Sequence, residues 1–377
     1  MTDMALGDAF FLNPTVSIRK GTITPFVPMD AIKVFTRTVS SHDERPFSGG
    51  TKFLDGDVLM ARITPSLENG KTSIYRAGPS KGKVAAGSTE FIVFRGRDGL
   101  TDSRFAYYLL TSDQVRTFAI SQMNGSTGRQ RVQTDALAGH LVRIPDLDEQ
   151  LAIVELLGSL DDKIESNRGV MAKALELGTA LLTGALVGGA VPATVDEVAD
   201  FQNRRRVPLS QRERATRPGP YPYYGATGIF GSIDDYIFDE VLILIGEDGS
   251  VVQEDGSPFS QYVWGKCWIN NHAHAIVGKG VSSELLYLLL KGADVRPLVT
   301  GAAQPKLNMG NLKSLRIELP TGHRLTTLES RLSDLFRVYR ARADEARMLE
   351  RLRDSLLPEL LAGDRVIGGN VSIEGLA

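Results

Sequence analysis

A ladder of apolar and small residues at alternating steps of four and three constrains this chain more than any other feature. It runs Ile153, Leu157, Leu160, Ile164, Asn167, Met171, Ala174, Gly178, Leu181. That spacing is the seam of a helix made to lie against another helix, and the polar Asn167 stands where such a pair would have its register fixed. The ladder returns 175 residues later as Leu328, Leu332, Leu335, Tyr339, Arg342, Ala346, Leu349, Arg353, Leu356. The step is a whole number of heptads, so Arg342 falls where Asn167 stood. A stretch of domain size precedes each copy, and the chain reads as a duplicated unit.

Composition agrees with this. A chain of 377 residues has room for two or three domains, each with its own core. Its 38 glycines point to turn-rich β structure beside the helices. The single cysteine, Cys267, leaves no internal disulfide framework and suits a reducing cytoplasm. The opening MTDMALGDAFF lacks the basic region and apolar core of a signal peptide. No apolar run is read as long enough to span a bilayer, so no membrane partner is expected. A net charge of −2 gives no global sign of nucleic acid, and any charge that binds DNA must be local.

In the first unit, Pro14, Pro25 and Pro28 exclude a long early helix and favour short strands. DVLMARI (57–63) and EFIVF (90–94) read as strands, and 103–123 as one helix. A glycine turn, NGSTGRQRV, and the strand LVRIP lead into the first ladder. The second unit repeats these features in order. TVDEVADF follows the pattern of MALGDAFF, EVLILIGEDGSV that of DVLMARITPSLEN, and SSELLYLLLKGADVRPLV that of SRFAYYLLTSDQVRTFA. TGAAQPKLN and LRIELP then precede the second ladder. The expected boundaries are a domain over 1–145, a helix over 146–184, a linker over 185–194, a domain over 195–320, a helix over 321–362 and a disordered tail over 363–377.

These motifs carry a resemblance. YPYYGATGIFGSIDDYIFDEVLILIGEDGSV, GKCWINNHAHAI, TGAAQPKLN and LPELLAGDRVI resemble the DNA-specificity subunit of type I restriction–modification systems. So do VLMARITPSLENGKT, GSTEFIVF, NGSTGRQRV and IPDLDEQLAIVELLGSLDDKIE. The resemblance implies an α+β protein with two target-recognition domains, each reading half of a bipartite site on double-stranded DNA. The two long helices would pair as an antiparallel coiled coil between them. Catalysis would belong to other chains: two copies of a methyltransferase (modification) subunit and restriction/translocase subunits, which would hold S-adenosylmethionine, ATP and Mg. The second copy departs from the family pattern where Glu149 and Gln150 become Arg324 and Leu325.

The residues themselves point the same way. From Phe201 to Arg217 there are six arginines and one glutamate, whereas from Asp146 to Glu176 there are eight acids against three bases. A basic loop beside an acidic helix suits a DNA-binding head on a stalk that does not bind DNA. Candidate contacts are Arg204, Arg205 and Arg206 in that loop, with Arg62 and Lys71 beside the first unit's strand. The glycine turns add Arg129, Gln130, Arg131, Gln304 and Lys306, of which arginine or lysine suits guanine and glutamine suits adenine. Because the turn recurs in two domains that should read different sequences, phosphate contact or a purely structural turn competes with base reading. Tyr223, Tyr224, Thr227, Asn270, Asn271 and His272 complete the set. His272 and His274 stand two apart as metal ligands could, but lack a convincing third ligand, so a buried, hydrogen-bonded histidine is the simpler expectation.

Several enzymatic signatures are incomplete. NGKT (69–72) ends like a phosphate-binding loop, but Pro65 stands where the first glycine is needed. IGEDGSV lacks the setting of a dinucleotide fold, and Asn13-Pro14-Thr15 is not the aromatic-ended motif of an amino-methyltransferase. The expectation is a chain that carries recognition without catalysis, with a protein-clamping helical scaffold as the alternative. Leu156, Val170, Phe336 and Leu357 lie off the seams and are expected to dock the methyltransferase.

Overall fold

A helical seam can be buried only by another helix, and a head can be held only if the helix offers it a second face. Both conditions are met here. The computed structural model describes residues 1–41, 43–78, 84–126, 128–301 and 304–364. It divides the chain into two compact units, Met1–Ser166 with Glu345–Ala377, and Asn167–Asp344. Each unit contains one globular head and part of both long helices, Leu147–Val187 and Gly322–Ala362. All eighteen ladder residues are buried or half-buried. The helix portions run antiparallel inside each unit. In the first, Asp161 meets Arg353 at 2.8 Å and Lys163 meets Glu345 at 3.3 Å. In the second, Gly178 faces Leu332.

Asn167 is 1% exposed, and its Nδ2 has no hydrogen-bond partner among the described residues. A buried polar group at one seam position costs stability but disfavours helix pairings that would leave it against purely apolar neighbours.

In the first head, a five-stranded sheet runs in the order Phe10–Leu12, Phe91–Gly96, Val58–Ala61, Thr72–Tyr75, Thr38–Val39. A four-stranded sheet runs Asp43–Pro46, Ile23–Val27, Val84–Gly87, Thr51–Leu54. The second head has two four-stranded sheets: Ala199–Phe201, Ala273–Gly278, Leu242–Gly246, Ser260–Val263; and Gly228–Ile233, Tyr221–Gly225, Lys266–Ile269, Phe238–Asp239. Each head has a matching parallel pairing, Val27 beside Gly87 and Tyr224 beside Ile269, and the first head has a second one, Thr38–Val39 beside Ile74–Tyr75.

Several expectations need correction. The stretch 103–123 is two helices, Ser103–Thr111 and Asp113–Ser121, because Ser112 leaves helical geometry (ψ 149°) and its hydroxyl caps Val115 N–H. The first long helix continues to Val187, and Ala190–Thr194 is no linker: it is a strand paired antiparallel with Arg316–Pro320. Thr2–Ala5 pairs with Leu141–Ile144 in the same way in the first unit. Phe336 is 1% exposed inside the second unit's core, while Leu156 and Leu357 pack on the first unit's core. Only Val170 of the four expected docking residues is exposed. The others form the second stripe, which each head covers. By length and composition the first long helix is also apolar enough to cross a membrane, contrary to the reading of the sequence. Only 17% of that apolar window is buried, and Leu177 and Val187 stand 50% and 85% exposed. The tail expected to be disordered lies outside the described residues from 365 onward.

The duplicated heads meet their helices with different chemistry at matching positions. In the first unit, Tyr108 Oη donates to Asp161 at 2.7 Å and Arg353 donates to the other carboxylate oxygen at 2.8 Å. The duplication carries these three positions to Leu288, Phe336 and Gly178, a wholly apolar contact. Gln150, fully buried, accepts Asp102 N–H at 3.0 Å and donates to the carbonyls of Leu100 and Pro145. Its counterpart Leu325 cannot do this. Glu329, one turn further along, accepts the equivalent Ser282 N–H at 2.7 Å instead.

Asp161 is 6% exposed, so Arg353→Met leaves a buried carboxylate without its cation. We expect a loss of about 3 kcal/mol in urea unfolding of the first unit. Adding Tyr108→Leu and Asp161→Leu should recover most of it. A loss under about 1 kcal/mol for the single variant would show that the pair is not desolvated in effect.

In the second unit, His274 is fully buried, with Nδ1 against Asn203 Nδ2 at 2.9 Å and Nε2 against the Leu307 carbonyl at 2.8 Å. Burial, opposed by that carbonyl, holds its imidazole below the ordinary histidine value. The unfolded chain therefore takes up a proton near pH ~6.5 while the folded chain does not. This contribution is complete above that pH and is lost as pH falls towards the folded value, by up to about 1.4 kcal/mol per pH unit. His274→Gln should have a melting temperature that changes less between about pH 7.5 and about pH 5.5. Identical pH profiles would refute the assignment.

Candidate nucleic-acid interface

Each head brings three loops together: the one that follows its central strand, the turn that enters the neighbouring strand, and the glycine turn. In the first head, Thr64 N–H donates to the Gln130 carbonyl at 3.0 Å, and Gln130 N–H donates to Thr64 Oγ1 at 3.1 Å. Glu90 N–H donates to Ser88 Oγ, and the Glu90 carboxylate receives Arg131 through Nε and Nη2, the latter at 2.7 Å. Hydrogen bonding to Arg131 holds that carboxyl below its usual range. In the second head, His272 N–H donates to Asn270 Oδ1 at 2.9 Å, and Lys306 Nζ meets Asp248 at 3.1 Å. Burial raises the Asp248 carboxyl, but hydrogen bonds from Lys306 and His272 outweigh it and leave the group lowered.

These are the same junction. Ile63 bridges Arg131, and Asp248 bridges Lys306; Arg131 and Lys306 stand 175 residues apart, and Ile63 and Asp248 each follow the central strand of their head. The same step carries Arg129 to Gln304. Gly301 has φ 87°, and a Cβ there would come 2.5 Å from the Gln304 carbonyl, so this turn closes only around glycine.

The sequence candidates now separate. Arg129, Arg204, Thr227, Asn271 and Gln304 are exposed, and their side chains have no polar partner among the described residues. Gln130 is half-buried and engaged through its backbone. Arg131 and Lys306 reach the surface but are held by Glu90 and Asp248, and His272 is exposed 3.5 Å from Asp248. Asn270 is half-buried and shapes its turn.

Others have structural partners. Arg62 Nη2 donates to the Val132 carbonyl, and Lys71 Nζ to the Met29 carbonyl, each at 3.0 Å. Arg206 bonds Glu247 at 3.2 Å and the Ala273 carbonyl. Arg205 pairs with Glu240 at 2.6 Å and lies over the Phe238 ring. Tyr223 and Tyr224 are buried, and Tyr223 Oη receives Leu209 N–H at 3.0 Å. Fewer free cations therefore face solvent than the sequence suggested. The acids responsible, Glu90, Asp248, Glu240 and Glu247, lie far away in sequence and had no visible link to their arginines and lysine.

His272 and His274 do not converge, one being exposed and the other buried with both ring nitrogens engaged. Among the described residues, no three His, Cys, Asp or Glu side chains gather as a metal site would need. Cys267 is buried, and burial pushes its thiol up to about 12. Such a thiol is not a poised nucleophile.

Comparison with known proteins gives the family. The family model described as "Type I restriction modification DNA specificity domain" matches residues 35–176 and again 190–324. A Haemophilus influenzae protein described as a type I restriction enzyme specificity subunit, S.HindORF215P, is 35% identical over 127 residues, covering 33% of this chain and 32% of its own. The Escherichia coli type I restriction enzyme EcoEI specificity subunit is 32% identical over 141 residues, 36% of this chain and 23% of its own. The matched region thus spans about a third or less of either relative. The crystal structure of the type I restriction-modification system S subunit from M. genitalium has a TM-score of 0.56 at 16% identity over 95% of both chains, a likeness of fold. With two successive matches covering most of its length, this chain belongs to the type I restriction modification DNA specificity family.

Proposed function

We propose that the chain is the specificity subunit of a cytoplasmic type I restriction–modification complex, each head reading one half of a bipartite DNA site. The observation that carries this is the duplicated three-loop junction, present once in each region matched by the family. In both heads one residue of the glycine turn is clamped by a carboxylate, and the side chain two before it, Arg129 or Gln304, has no polar partner among the described residues. The clamp costs the turn its mobility before DNA arrives, which favours binding by preorganisation. Arg129 and Arg204 suit phosphate or guanine, Gln304 and Asn271 suit adenine, and Thr227 suits either.

In this reading the chain carries recognition, and chemistry belongs to its partners. Two methyltransferase subunits would supply S-adenosylmethionine, and restriction/translocase subunits would use ATP and Mg. The carboxylates of the two junctions are occupied by cations, so nothing there is poised as a general base.

The heads should be exchangeable at the edges of the second one. Replacing 190–320, from the strand that opens this head to the strand that closes it, with the equivalent region of a relative should change one half of the methylated motif in the host genome. The other half should stay as it was. Sequencing methylated bases reads this directly, and a swap that altered both halves or neither would refute independent reading.

A further inference from the structure

Each head exposes an aliphatic–phenylalanine pair beside its loop junction. In the first it is Val34–Phe35, 48% and 43% exposed, and in the second Ile229–Phe230, 57% and 55%. Val34–Phe35 lies in the turn between Ile23–Val27 and Thr38–Val39, and Ile229–Phe230 lies in Gly228–Ile233, the strand paired antiparallel with Tyr221–Gly225. Large apolar groups that face water in both heads need an explanation.

The backbone is arranged to display them. Phe35 itself has φ 49°, unusual for a residue with a bulky side chain. Its ring lies against Gly70, where a Cβ would come 2.5 Å from it. Gly228 (φ 146°) and Gly231 (φ 132°) flank Ile229–Phe230, and the Phe230 ring covers Gly225, where a Cβ would come 2.2 Å away. In each head a glycine is thus needed for the ring to lie where it does.

Both pairs adjoin cations and the polar loops. The Arg116 guanidinium is 5.3 Å from the Phe35 ring, and Arg214 donates to the Phe230 carbonyl at 2.8 Å. Gly70 ends the turn that Thr64 ties to the glycine turn, and Gly225 lies beside Asn270. An apolar tip with an arginine beside it suits a nucleic acid, whose flat bases lie between rails of phosphate. What favours DNA over a protein partner is position, since each pair adjoins the loops proposed above to read DNA.

We propose that Val34–Phe35 and Ile229–Phe230 are apolar base contacts, one in each half of the DNA site, pressing on a thymine methyl or on the face of a base step. This rests on the DNA-reading function above. It adds an apolar component of affinity to the polar contacts of the glycine turns. Losing it should weaken binding without changing the number of phosphates neutralised.

The test uses the complex isolated from host cells through a tag on this chain, with a duplex pool of randomised core sequence as probe. Phe35→Ala and Phe230→Ala should each weaken binding by about tenfold or more. The slope of log affinity against log salt should not change, whereas Arg204→Ala should lower it by about one. Phe→Trp at either position should keep most of the affinity, which a loss caused by misfolding would not allow. If a pool with uracil in place of thymine binds the parent complex as weakly as the alanine variants bind the normal pool, the contact is to the methyl. Unchanged parent affinity would assign it to the base face. Alanine variants that bind like the parent would overturn the proposal while leaving DNA reading intact. Variants that bind normally but lose their co-purifying partner would assign the pairs to a protein interface. A parent complex that binds no duplex would overturn both readings.

Discussion

Burial of two stripes on each long helix is the constraint on which the rest depends. One stripe is the seam and is met by the other helix, while the second faces a head of the same unit. A helix of 41 residues cannot be held by propensity alone. In the second unit the head contributes Tyr262, Trp264 and Tyr287, which pack with Phe336 and Tyr339 of the helix. Tyr262 and Arg340 both donate to Glu284 there, each at 2.7 Å. In the first unit Arg37 reaches the Gly158 carbonyl at 3.0 Å and also bonds Asp162. Apolar area supplies most of the attachment, and these polar contacts select its register.

Duplication preserved the geometry and let the chemistry drift. A polar trio in one unit stands where leucine, phenylalanine and glycine stand in the other. Such exchanges are close to neutral when all partners change together, since a satisfied buried ion pair and a well-packed apolar cluster have similar net worth. The Ser282 N–H shows the complementary rule. Its acceptor moved one turn along the helix, from the position of Gln150 to Glu329, because a buried donor has to be satisfied by some group.

The same logic shapes the candidate DNA surface. Cations that would be mobile in isolation are fixed by carboxylates from neighbouring loops, and the residues left free differ between the heads. Arg129 and Gln304 occupy one structural position with different hydrogen-bonding capacity. A scaffold that holds such a position constant can change what it recognises by side chain alone.

The heptad ladder at two places 175 residues apart determined the long helices, their need of a partner helix and the duplication, because period and spacing are local properties of the chain; the antiparallel sense was only implied by the family resemblance. The glycine turns were legible for a similar reason, since a positive φ leaves its mark on residue type. Side-chain fate was not legible. Nothing in the run Arg204-Arg205-Arg206 distinguishes the arginine without a polar partner among the described residues from the one bound to Glu240 or the half-buried one against Glu247. Tyr223 and Tyr224 looked like contact residues and are core, whereas Ile229 and Phe230 a few residues on face solvent. Phe336 looked like a docking residue and is covered by its own head. Burial and pairing depend on which distant segments arrive beside a residue, and only the tertiary structure decides that.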